Sequence, residues 1–363
     1  MTQEARFLFA TCQVGAEAAM KRQLARRWPD IRPAFSRPGL VTFKVPGDRQ
    51  LTDEFVLETV FARAWGFSLG KIEAADAEAM ARQAWALAPT PPPHWVHVWQ
   101  RETAPPAGDS PPEDDSPMRE ARAAMLRNCP SPTWLDTRAS DALQPARLGD
   151  RVLDCVLVEP GQWWIGYHRV SDVPSQWPGG EIPLTLPPEA VSRAWLKMEE
   201  ALRWSQLPIR AGAQFAEIGS APGGASQALL SRGFRVLGID PAEMHPDVLA
   251  HPNFTHLRKR ASEVRRREFR KVRWLSADMN VAPSYTLDAV EDIVTHPQVN
   301  IRGMLLTLKL FHWTLADHLP EYLERVRQWG YNMVRARQLW HNRREICVAA
   351  LQKPFVKKAN PRL

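Results

Sequence analysis

The second half of the chain alternates between strand-like and helix-like segments, and this alternation constrains the fold more than any other feature of the sequence. From residue 189 onward, short apolar runs typical of buried strands are separated by longer amphipathic stretches typical of helices. Such an order predicts a largely parallel sheet with helices on both faces. The predicted elements are helix 189–207, strand 214–218, helix 225–231, strand 234–239, strand 272–277, helix 286–296, strand 301–308, helix 315–329, and strands 331–339 and 345–351.

The last two predicted strands are joined by a short turn at His341 and Asn342, so we expect them to be antiparallel. The expected fold class is therefore α/β. Its sheet should be Rossmann-like, mostly parallel, with one antiparallel strand.

The first half of the chain is less regular. Residues 1–70 combine strand-like runs with one helical pattern, which predicts a small α/β region. Residues 71–170 contain further helix-like and strand-like segments, and an insert near 104–117, rich in Pro, Gly, Asp and Ser, is expected to be mobile. The proline-rich segment 171–188 is expected to link these regions to a final domain at 189–363.

Basic residues are concentrated in one stretch. Between Arg258 and Arg273 there are nine basic residues and two acidic ones, an excess that equals the net charge of +7 of the whole chain. Such clustering favours a polyanionic partner such as RNA, because contacts with phosphates supply most sequence-independent affinity. A solvated basic helix without a partner is the alternative. The candidate RNA-binding residues are Arg258, Lys259, Arg260, Arg265, Arg266, Arg267 and Arg270.

Composition and cysteine placement exclude several classes of protein. Hydrophobic residues make up 44% and charged residues 24% of the chain, as in ordinary globular proteins. The four cysteines lie far apart without a histidine at ligand spacing, so we expect neither a disulfide framework nor a metal site. There is no apolar core of a signal peptide, and no segment reaches the roughly 18 apolar residues of a membrane span. A cytoplasmic protein without a membrane partner is expected.

A glycine-rich loop follows the first strand of the alternating region. It runs from Glu217 to Gly224 and leads into a helix, so its backbone and the helix N-terminus can approach a ligand closely. The second strand ends at Asp240, 21 residues after Gly219, where a carboxylate can accept hydrogen bonds from ribose hydroxyls. Together these features predict a site for an adenosine-containing cofactor; a purely structural turn is the alternative. The candidate cofactor-binding residues are Glu217, Gly219, Ser220, Ala221, Pro222, Gly223, Gly224, Asp240 and Asp278.

The loop lacks two common phosphate-binding patterns. It does not read G-x-G-x-x-G, and it has no Lys-Ser or Lys-Thr pair of the kind found in a P-loop. This disfavours a nicotinamide-dependent oxidoreductase and an NTPase. S-adenosylmethionine carries no phosphate and is compatible with such a loop.

Four charged residues are expected near one edge of the sheet. Asp278 and Lys309 follow apolar strands, and open α/β sheets bind ligands at the carboxyl ends of their parallel strands. Glu345 begins the final antiparallel strand and so starts at that edge, whereas Lys197, on the preceding helix, would by itself be interpreted as a solvated lysine. Lys309 closes an apolar run where an ammonium loses hydration, so it could serve as a general base; a lysine that extends from a strand end into solvent is the alternative.

These features resemble a known family. The four charged residues and the GSAPGG loop, in chain order, resemble the Lys-Asp-Lys-Glu tetrad and cofactor loop of the FtsJ-like ribose 2′-O-methyltransferases. The strings SRAWLKMEE at 192–200 and ARQLWHNRRE at 336–345 are similar to those of family members that modify a cytidine of bacterial 23S ribosomal RNA. The resemblance covers about residues 189–351.

The same family members carry a ferredoxin-like part and a THUMP region, an RNA-binding module, at their N-terminus. Segments 15–24, 61–65 and 156–161 resemble these parts more loosely. The resemblance implies a ferredoxin-like region at 1–70 and an α+β THUMP-like RNA-binding region at 71–170.

The resemblance also implies an activity, S-adenosylmethionine-dependent methylation of a ribose 2′-hydroxyl in RNA, with 23S ribosomal RNA or a large-subunit precursor as the partner. Lys309, kept partly neutral by burial and by the proximity of Lys197, would remove the hydroxyl proton as the oxygen attacks the methyl group in line. Asp278 and Glu345 would orient the two lysines, and no metal would be needed. The implied catalytic residues are Lys197, Asp278, Lys309 and Glu345.

Three other functions stay open on the sequence. One is an RNA-binding protein that retains the fold without activity and acts in ribosome assembly. Another is a 2′-O-methyltransferase of transfer or messenger RNA. The third is the oxidoreductase that the loop disfavours. The sequence does not indicate an oligomeric state.

Overall fold

The computed structural model describes residues 6–104 and 115–352. Most of the insert expected at 104–117 lies outside these residues, although its last two positions begin a helix. The chain divides into two compact units, Met1–Pro183 and Leu184–Leu363. Among the described residues, no helix is both long and apolar enough to cross a bilayer.

In the described part of the N-terminal unit, seven strands form one mixed sheet in the order β2-β3-β1-β4-β7-β6-β5. Neighbouring strands are antiparallel except β5 and β6, which are parallel. The elements are β1 (Phe7–Thr11), α1 (Glu17–Arg27), β2 (Arg32–Arg37), β3 (Leu40–Lys44), β4 (Ala64–Glu73), α2 (Ala77–Ala86), β5 (Trp95–Gln100), α3 (Ser116–Arg127), β6 (Arg151–Glu159) and β7 (Gln162–Arg169).

Strand β4 joins the two regions that the sequence analysis distinguishes in this unit. It pairs with β1 on one side and with β7 on the other, so both regions share a single sheet. Helices α2 and α3 pack on one face of that sheet. Their core is apolar and includes Met80, Ala84, Met125, Leu153 and Ile165, all buried.

The C-terminal unit contains a second seven-stranded sheet among the described residues, in the order β10-β9-β8-β11-β12-β14-β13. Strand β14 is antiparallel to both of its neighbours, and all other adjacent strands are parallel. The elements are α4 (Ala194–Ser205), β8 (Gln214–Ile218), α5 (Gly224–Ser231), β9 (Arg235–Ile239), α6 (Pro246–Leu249), β10 (Phe254–Leu257), β11 (Trp274–Ala277), α7 (Pro283–Val294), β12 (Gly303–Lys309), α8 (Leu319–Gln328), β13 (Met333–Arg337) and β14 (Glu345–Leu351).

This topology confirms the expected Rossmann-like fold with one antiparallel strand. From the central strand β8 the chain moves outward through β9 and β10, then returns to continue on the other side with β11 and β12. The strand order therefore reverses between β8 and β11. Open α/β sheets bind their ligands at such a reversal, outside the carboxyl ends of the strands.

Three local features of this unit differ from the sequence prediction. Helix α4 begins at Ala194 rather than at 189, because residues 188–193 form turns and bends. Strand β10, of only four residues, was not predicted. The basic stretch is not a long helix. It contains two short 3-10 turns, Ala261–Glu263 and Arg266–Phe269, and Phe269 is fully buried beneath it.

Candidate active site

The carboxyl edge of the parallel strands gathers the residues singled out in the sequence. Gly219 follows β8, Asp240 follows β9 and Asp278 follows β11. Lys309 is the last residue of β12, and Glu345 is the first residue of β14. Because β8, β9, β11 and β12 are parallel, their ends lie on one edge, and the antiparallel β14 begins there.

The register of the last strand pair brings Lys309 and Glu345 together. Lys309 lies directly opposite Glu345 in the β12–β14 ladder, and the backbone N–H of Leu310 donates to the carbonyl of Arg344 at 2.7 Å. Directly opposed residues point to the same face of a sheet. The Nζ of Lys309 is accordingly 2.5 Å from Oε1 of Glu345.

Lys197 and Asp278 complete a closed network of two lysines and two carboxylates. The Nζ of Lys197, on α4, lies 2.7 Å from Oε2 of Glu345 and 3.5 Å from Oδ2 of Asp278. The Nζ of Lys309 lies 2.8 Å from Oδ1 of Asp278. Each lysine therefore contacts both carboxylates, and the four formal charges balance.

These side chains are mostly buried but remain accessible from the cleft. The exposed fractions are 22% for Lys197, 17% for Asp278, 15% for Lys309 and 11% for Glu345. Partial burial strengthens the electrostatic interactions within the network. A ligand in the cleft can therefore reach groups that are held in fixed positions.

The network controls the ionisation of its members. Burial by itself would raise the pKa of Asp278, but Lys197 and Lys309 outweigh it and lower that pKa. Burial would likewise lower the pKa of Lys309, but Asp278 and Glu345 outweigh it and raise that pKa. The prediction of a partly neutral Lys309 is therefore wrong for the protein without ligand, because two contacting carboxylates stabilise the ammonium.

The glycine loop is shaped by two backbone positions that side chains would disturb. Gly219 has φ +79°, and a Cβ there would lie 2.7 Å from the backbone oxygen of Asp278. Gly223 has φ +122°, and its Cβ would lie 2.6 Å from a methyl carbon of Val248. Both positions require glycine. The space into which a side chain at Gly223 would extend is occupied by Val248.

Asp240 connects the end of β9 to the loop. Its Oδ2 accepts the backbone N–H of Ala221 at 3.1 Å, and its Oδ1 accepts that of Ala242 at 2.8 Å. Each carboxylate oxygen keeps a second lone pair for a ligand hydroxyl.

Glu217 lies beneath the loop rather than at its surface. It is 1% exposed, and the hydroxyl of Ser226 on α5 donates to its Oε2 at 2.5 Å. Burial raises the pKa of Glu217 to about 8. Ser220 and Gly224 are also buried, whereas Ala221 and Pro222 are more accessible.

Glu200 is a site residue that the sequence analysis missed. It is fully buried on α4, one turn after Lys197, and its two carboxylate oxygens accept the backbone N–H groups of Trp340 and His341, each at 2.8 Å. It thereby fixes the turn before Glu345 to the helix that carries Lys197. The signal in the sequence is an acidic residue three positions after Lys197, a spacing that places both residues on the same face of the helix. The apolar residues Met198 and Leu202 on the same helix do not indicate this role.

The basic stretch is divided between two edges of the sheet. Arg258 to Arg260 follow β10 and lie at the carboxyl edge, while Lys271 and Arg273 precede β11 at the opposite edge. All of these residues are exposed, as are Arg265, Arg267 and Arg270.

Some of these cations already have acidic partners within the chain. Arg258 forms an ion pair with Glu243 at 3.1 Å, and the half-buried Arg266 pairs with Asp292. The predicted RNA-binding residues therefore do not form one continuous, unpaired patch.

Comparisons with known proteins agree with the site. Residues 190–331 match the FtsJ-like methyltransferase family. Ribosomal RNA large subunit methyltransferase M of Xylella fastidiosa strain M12 is 35% identical over 182 residues, 48% of this chain and 51% of that protein. The protein of the same name from Laribacter hongkongensis is 30% identical over 184 residues, 47% of this chain and 51% of that protein.

A longer match extends to a third relative of that name, from Azoarcus sp. strain BH72. It is 26% identical over 242 residues, 64% of this chain and 65% of that protein. The chain spans about half the length of the first two relatives in these matches.

Proposed function

We propose that this chain, whose C-terminal unit is an FtsJ-like methyltransferase domain, is an S-adenosylmethionine-dependent RNA ribose 2′-O-methyltransferase. The observation that carries the proposal is the closed network of Lys197, Asp278, Lys309 and Glu345 at the carboxyl edge of the sheet. It lies next to a glycine loop and an acid at the end of the second strand. A buried lysine between two carboxylates is suited to releasing and accepting one proton beside a bound ligand.

The residues at this edge fit the cofactor. Gly219 lets the loop pack closely against the backbone of Asp278, and Asp240 keeps lone pairs that ribose hydroxyls can use. Gly223 and Glu217 would support the loop from below through their packing and hydrogen bonds. When bound, S-adenosylmethionine supplies a methyl group on a sulfonium, an already activated leaving group. The residues of the loop and of the neighbouring strand ends that would hold it are Gly219, Ser220, Ala221, Pro222, Gly223, Gly224, Asp240 and Asp278.

Lys309 would act as the general base for the ribose hydroxyl. It must first release its own proton to solvent, because Asp278 and Glu345 raise its pKa in the protein without ligand. Substrate in the cleft removes the remaining water from this side chain, and desolvation favours the neutral amine. Lys197 also contacts these two carboxylates, and so it weakens their electrostatic stabilisation of the Lys309 ammonium.

The neutral amine would then accept the 2′-hydroxyl proton as the oxygen attacks the methyl group in line. Asp278 and Glu345 would hold the two lysines at fixed positions, and Glu200 would hold the turn that precedes Glu345. After transfer, the ammonium of Lys309 is again stabilised by both carboxylates.

The proposed substrate is 23S ribosomal RNA, with a cytidine ribose as the target. The names of the curated relatives support ribosomal RNA of the large subunit. The exposed arginines and lysine at Arg258 to Arg260 and at Arg265 to Arg270 would contact phosphates on that RNA. The N-terminal unit, with its ferredoxin-like and THUMP-like resemblance, would supply further RNA contacts.

The experiment that tests this function is methyl transfer from labelled S-adenosylmethionine to large-subunit RNA, with the modified nucleotide mapped afterwards. We expect label on the 2′-oxygen of one cytidine in 23S RNA with the wild type, and with Lys271→Ala, which changes an exposed lysine at the opposite edge of the sheet. Preferential transfer to transfer or messenger RNA would contradict the ribosomal substrate. RNA binding without cofactor binding or transfer would favour an inactive assembly factor.

A further inference from the structure

Three titratable side chains meet in the middle of the N-terminal sheet and take no part in the proposed function. His97 on β5, Asp154 on β6 and His168 on β7 are 3%, 0% and 7% exposed. His97 is opposite Asp154 in the ladder, and His168 is opposite Val152, two residues before Asp154, so all three project from one face. One potential ligand atom from each lies within 4.8 Å of the other two.

The surrounding positions on the same face are apolar. Each strand places a buried apolar residue two positions before or after its polar one. Titratable groups in such surroundings cost free energy unless a partner compensates their charge and hydrogen-bonding capacity. The cluster therefore needs an explanation that the packing alone does not supply. The apolar neighbours are Trp95, Trp99, Val152, Val156 and Val170.

One hydrogen bond orients the imidazole of His168. Its Nε2 is 2.9 Å from the carbonyl oxygen of Ser175. The Ser175 carbonyl thus holds Nε2–H and leaves Nδ1 of His168 to face Asp154. The Nδ1 of His97 is buried without a hydrogen-bond partner among the described residues.

The carboxylate of Asp154 faces the remaining nitrogens. Its Oδ2 is 2.7 Å from Nδ1 of His168, and its Oδ1 is buried without a hydrogen-bond partner among the described residues. In the absence of another occupant, the bond from His168 to Ser175 requires a proton on Nε2, and the bond between His168 and Asp154 requires one proton on either Nδ1 or Oδ2. A buried acceptor on Asp154 and a buried nitrogen on His97 are then left unsatisfied.

We propose that His97, Asp154 and His168 bind one divalent transition-metal ion of the zinc class. Imidazole nitrogen and carboxylate oxygen are common zinc ligands, and three protein ligands leave a fourth position for a water molecule. Metal-bound histidines commonly donate the other ring N–H to a backbone carbonyl, as His168 does to Ser175. The ion would satisfy the two orphaned atoms.

The distances require a moderate rearrangement. Ligand atoms that each lie about 2.0–2.1 Å from zinc in a tetrahedral site are about 3.3 Å apart. The 2.7 Å separation between Asp154 and His168 would open by roughly half an ångström. Ligand atoms as much as 4.8 Å apart would close by roughly 1.5 Å. Arg122, whose charge acts on His97, is held by the carbonyls of Ala139 and Ser140 and offers no lone pair.

The site would fasten the segment that follows β7 to the sheet. Ser175 belongs to the 3-10 turn Pro174–Gln176, and its carbonyl is hydrogen-bonded to His168. Metal binding would therefore order residues shortly before the N-terminal unit ends at Pro183. The role is structural and does not depend on the proposed methyl transfer.

The decisive experiment counts metal in the full-length protein after equilibration with zinc and removal of the excess. We expect about one zinc per chain for the wild type and for His94→Gln, an exposed histidine of the same unit, and less than about 0.1 for His97→Gln and Asp154→Asn. A wild type that binds no zinc overturns the proposal, as does an unchanged zinc content in both ligand variants.

A measurement on the wild type avoids dependence on variants that fail to fold. Titration with cobalt should give ligand-field bands of nitrogen and oxygen coordination, and zinc should displace the cobalt. A strong thiolate charge-transfer band would place the metal on cysteine, such as Cys129, and overturn the proposal. Absence of ligand-field bands at one equivalent would overturn it as well.

Discussion

Each unit of this protein buries a cluster of titratable side chains, and the two clusters differ in their place along the strands. The Lys-Asp-Lys-Glu network lies at strand ends and on the adjoining helix α4, with 11–22% of each side chain exposed to a cleft. The cluster of His97, Asp154 and His168 lies in the middle of three strands, under the 3-10 turn Pro174–Gln176. A cluster at strand ends can meet a substrate. An enclosed cluster can only hold a small ion or stabilise the fold.

The largest effect expected from this difference is on the rate of methyl transfer. Lys309→Ala should lower the single-turnover rate by on the order of 10² to 10⁴, because the general base is lost. Lys309→Arg should be nearly as slow, since a guanidinium stays protonated. Cofactor affinity, measured by calorimetry, should change little in both variants. Near-normal transfer by Lys309→Arg would show that the cleft network does not supply the base.

The pH dependence of the same rate sharpens the contrast. Because Asp278 and Glu345 raise the pKa of Lys309, the reactive neutral amine is a minor species at neutral pH. Its fraction grows about tenfold for each pH unit below that pKa, so the single-turnover rate should rise with pH over the neutral and mildly alkaline range. A rate that is flat from pH 6 to 9 would contradict this assignment.

The third effect concerns stability, at the carboxylate beneath the glycine loop. Burial raises the pKa of Glu217 to about 8. The stability that this carboxyl group contributes is therefore fully present below the ordinary pKa of a glutamate, and it is lost as pH rises through about 8. Glu217→Gln should match the wild type near pH 5 and exceed its unfolding free energy by a few kcal/mol at pH 9. Urea titrations at both pH values check this. An equal pH dependence in the two proteins would show that Glu217 ionises freely.

The smallest effect is expected for the enclosed cluster. Asp154→Asn removes a buried partner of His168 and should lower the unfolding free energy of metal-free protein by about 2 kcal/mol. Single-turnover transfer at saturating RNA should stay within about twofold of the wild type, because the residue lies outside the cleft network. A loss of rate as large as that of Lys309→Ala would show that the enclosed cluster also takes part in methyl transfer.

The convergence of Asp278, Lys309 and Glu345 could be predicted because it follows from the fold class, whereas Lys197, on a helix, was indicated only by the family resemblance. Once the alternation of strands and helices indicates a parallel sheet, polar residues after strands converge on one edge. The ionisation state of Lys309 could not be predicted in the same way. It depends on which charges contact the ammonium, and only the structure shows that two carboxylates, Asp278 and Glu345, do so.

Other elements were hidden by weak local signals. Strand β2 is short, largely exposed and contains Pro33, and β4 is interrupted by Gly66 and Gly70, so neither shows a clear alternation of apolar residues. The enclosed cluster has no sequence motif at all. Its three residues are far apart along the chain and become neighbours only through the pairing of β5, β6 and β7.

The position of β14 between β12 and β13 determines when the Lys-Asp-Lys-Glu network can form during synthesis of the chain. Strand β13 leaves the ribosome before β14, yet it has no neighbour in the described sheet until β14 inserts beside β12. Lys197 precedes its partner Glu345 by 148 residues, about 7 to 30 s of translation. A nascent chain therefore exposes an incomplete sheet edge, and the proposed site is complete only after β14 has been made.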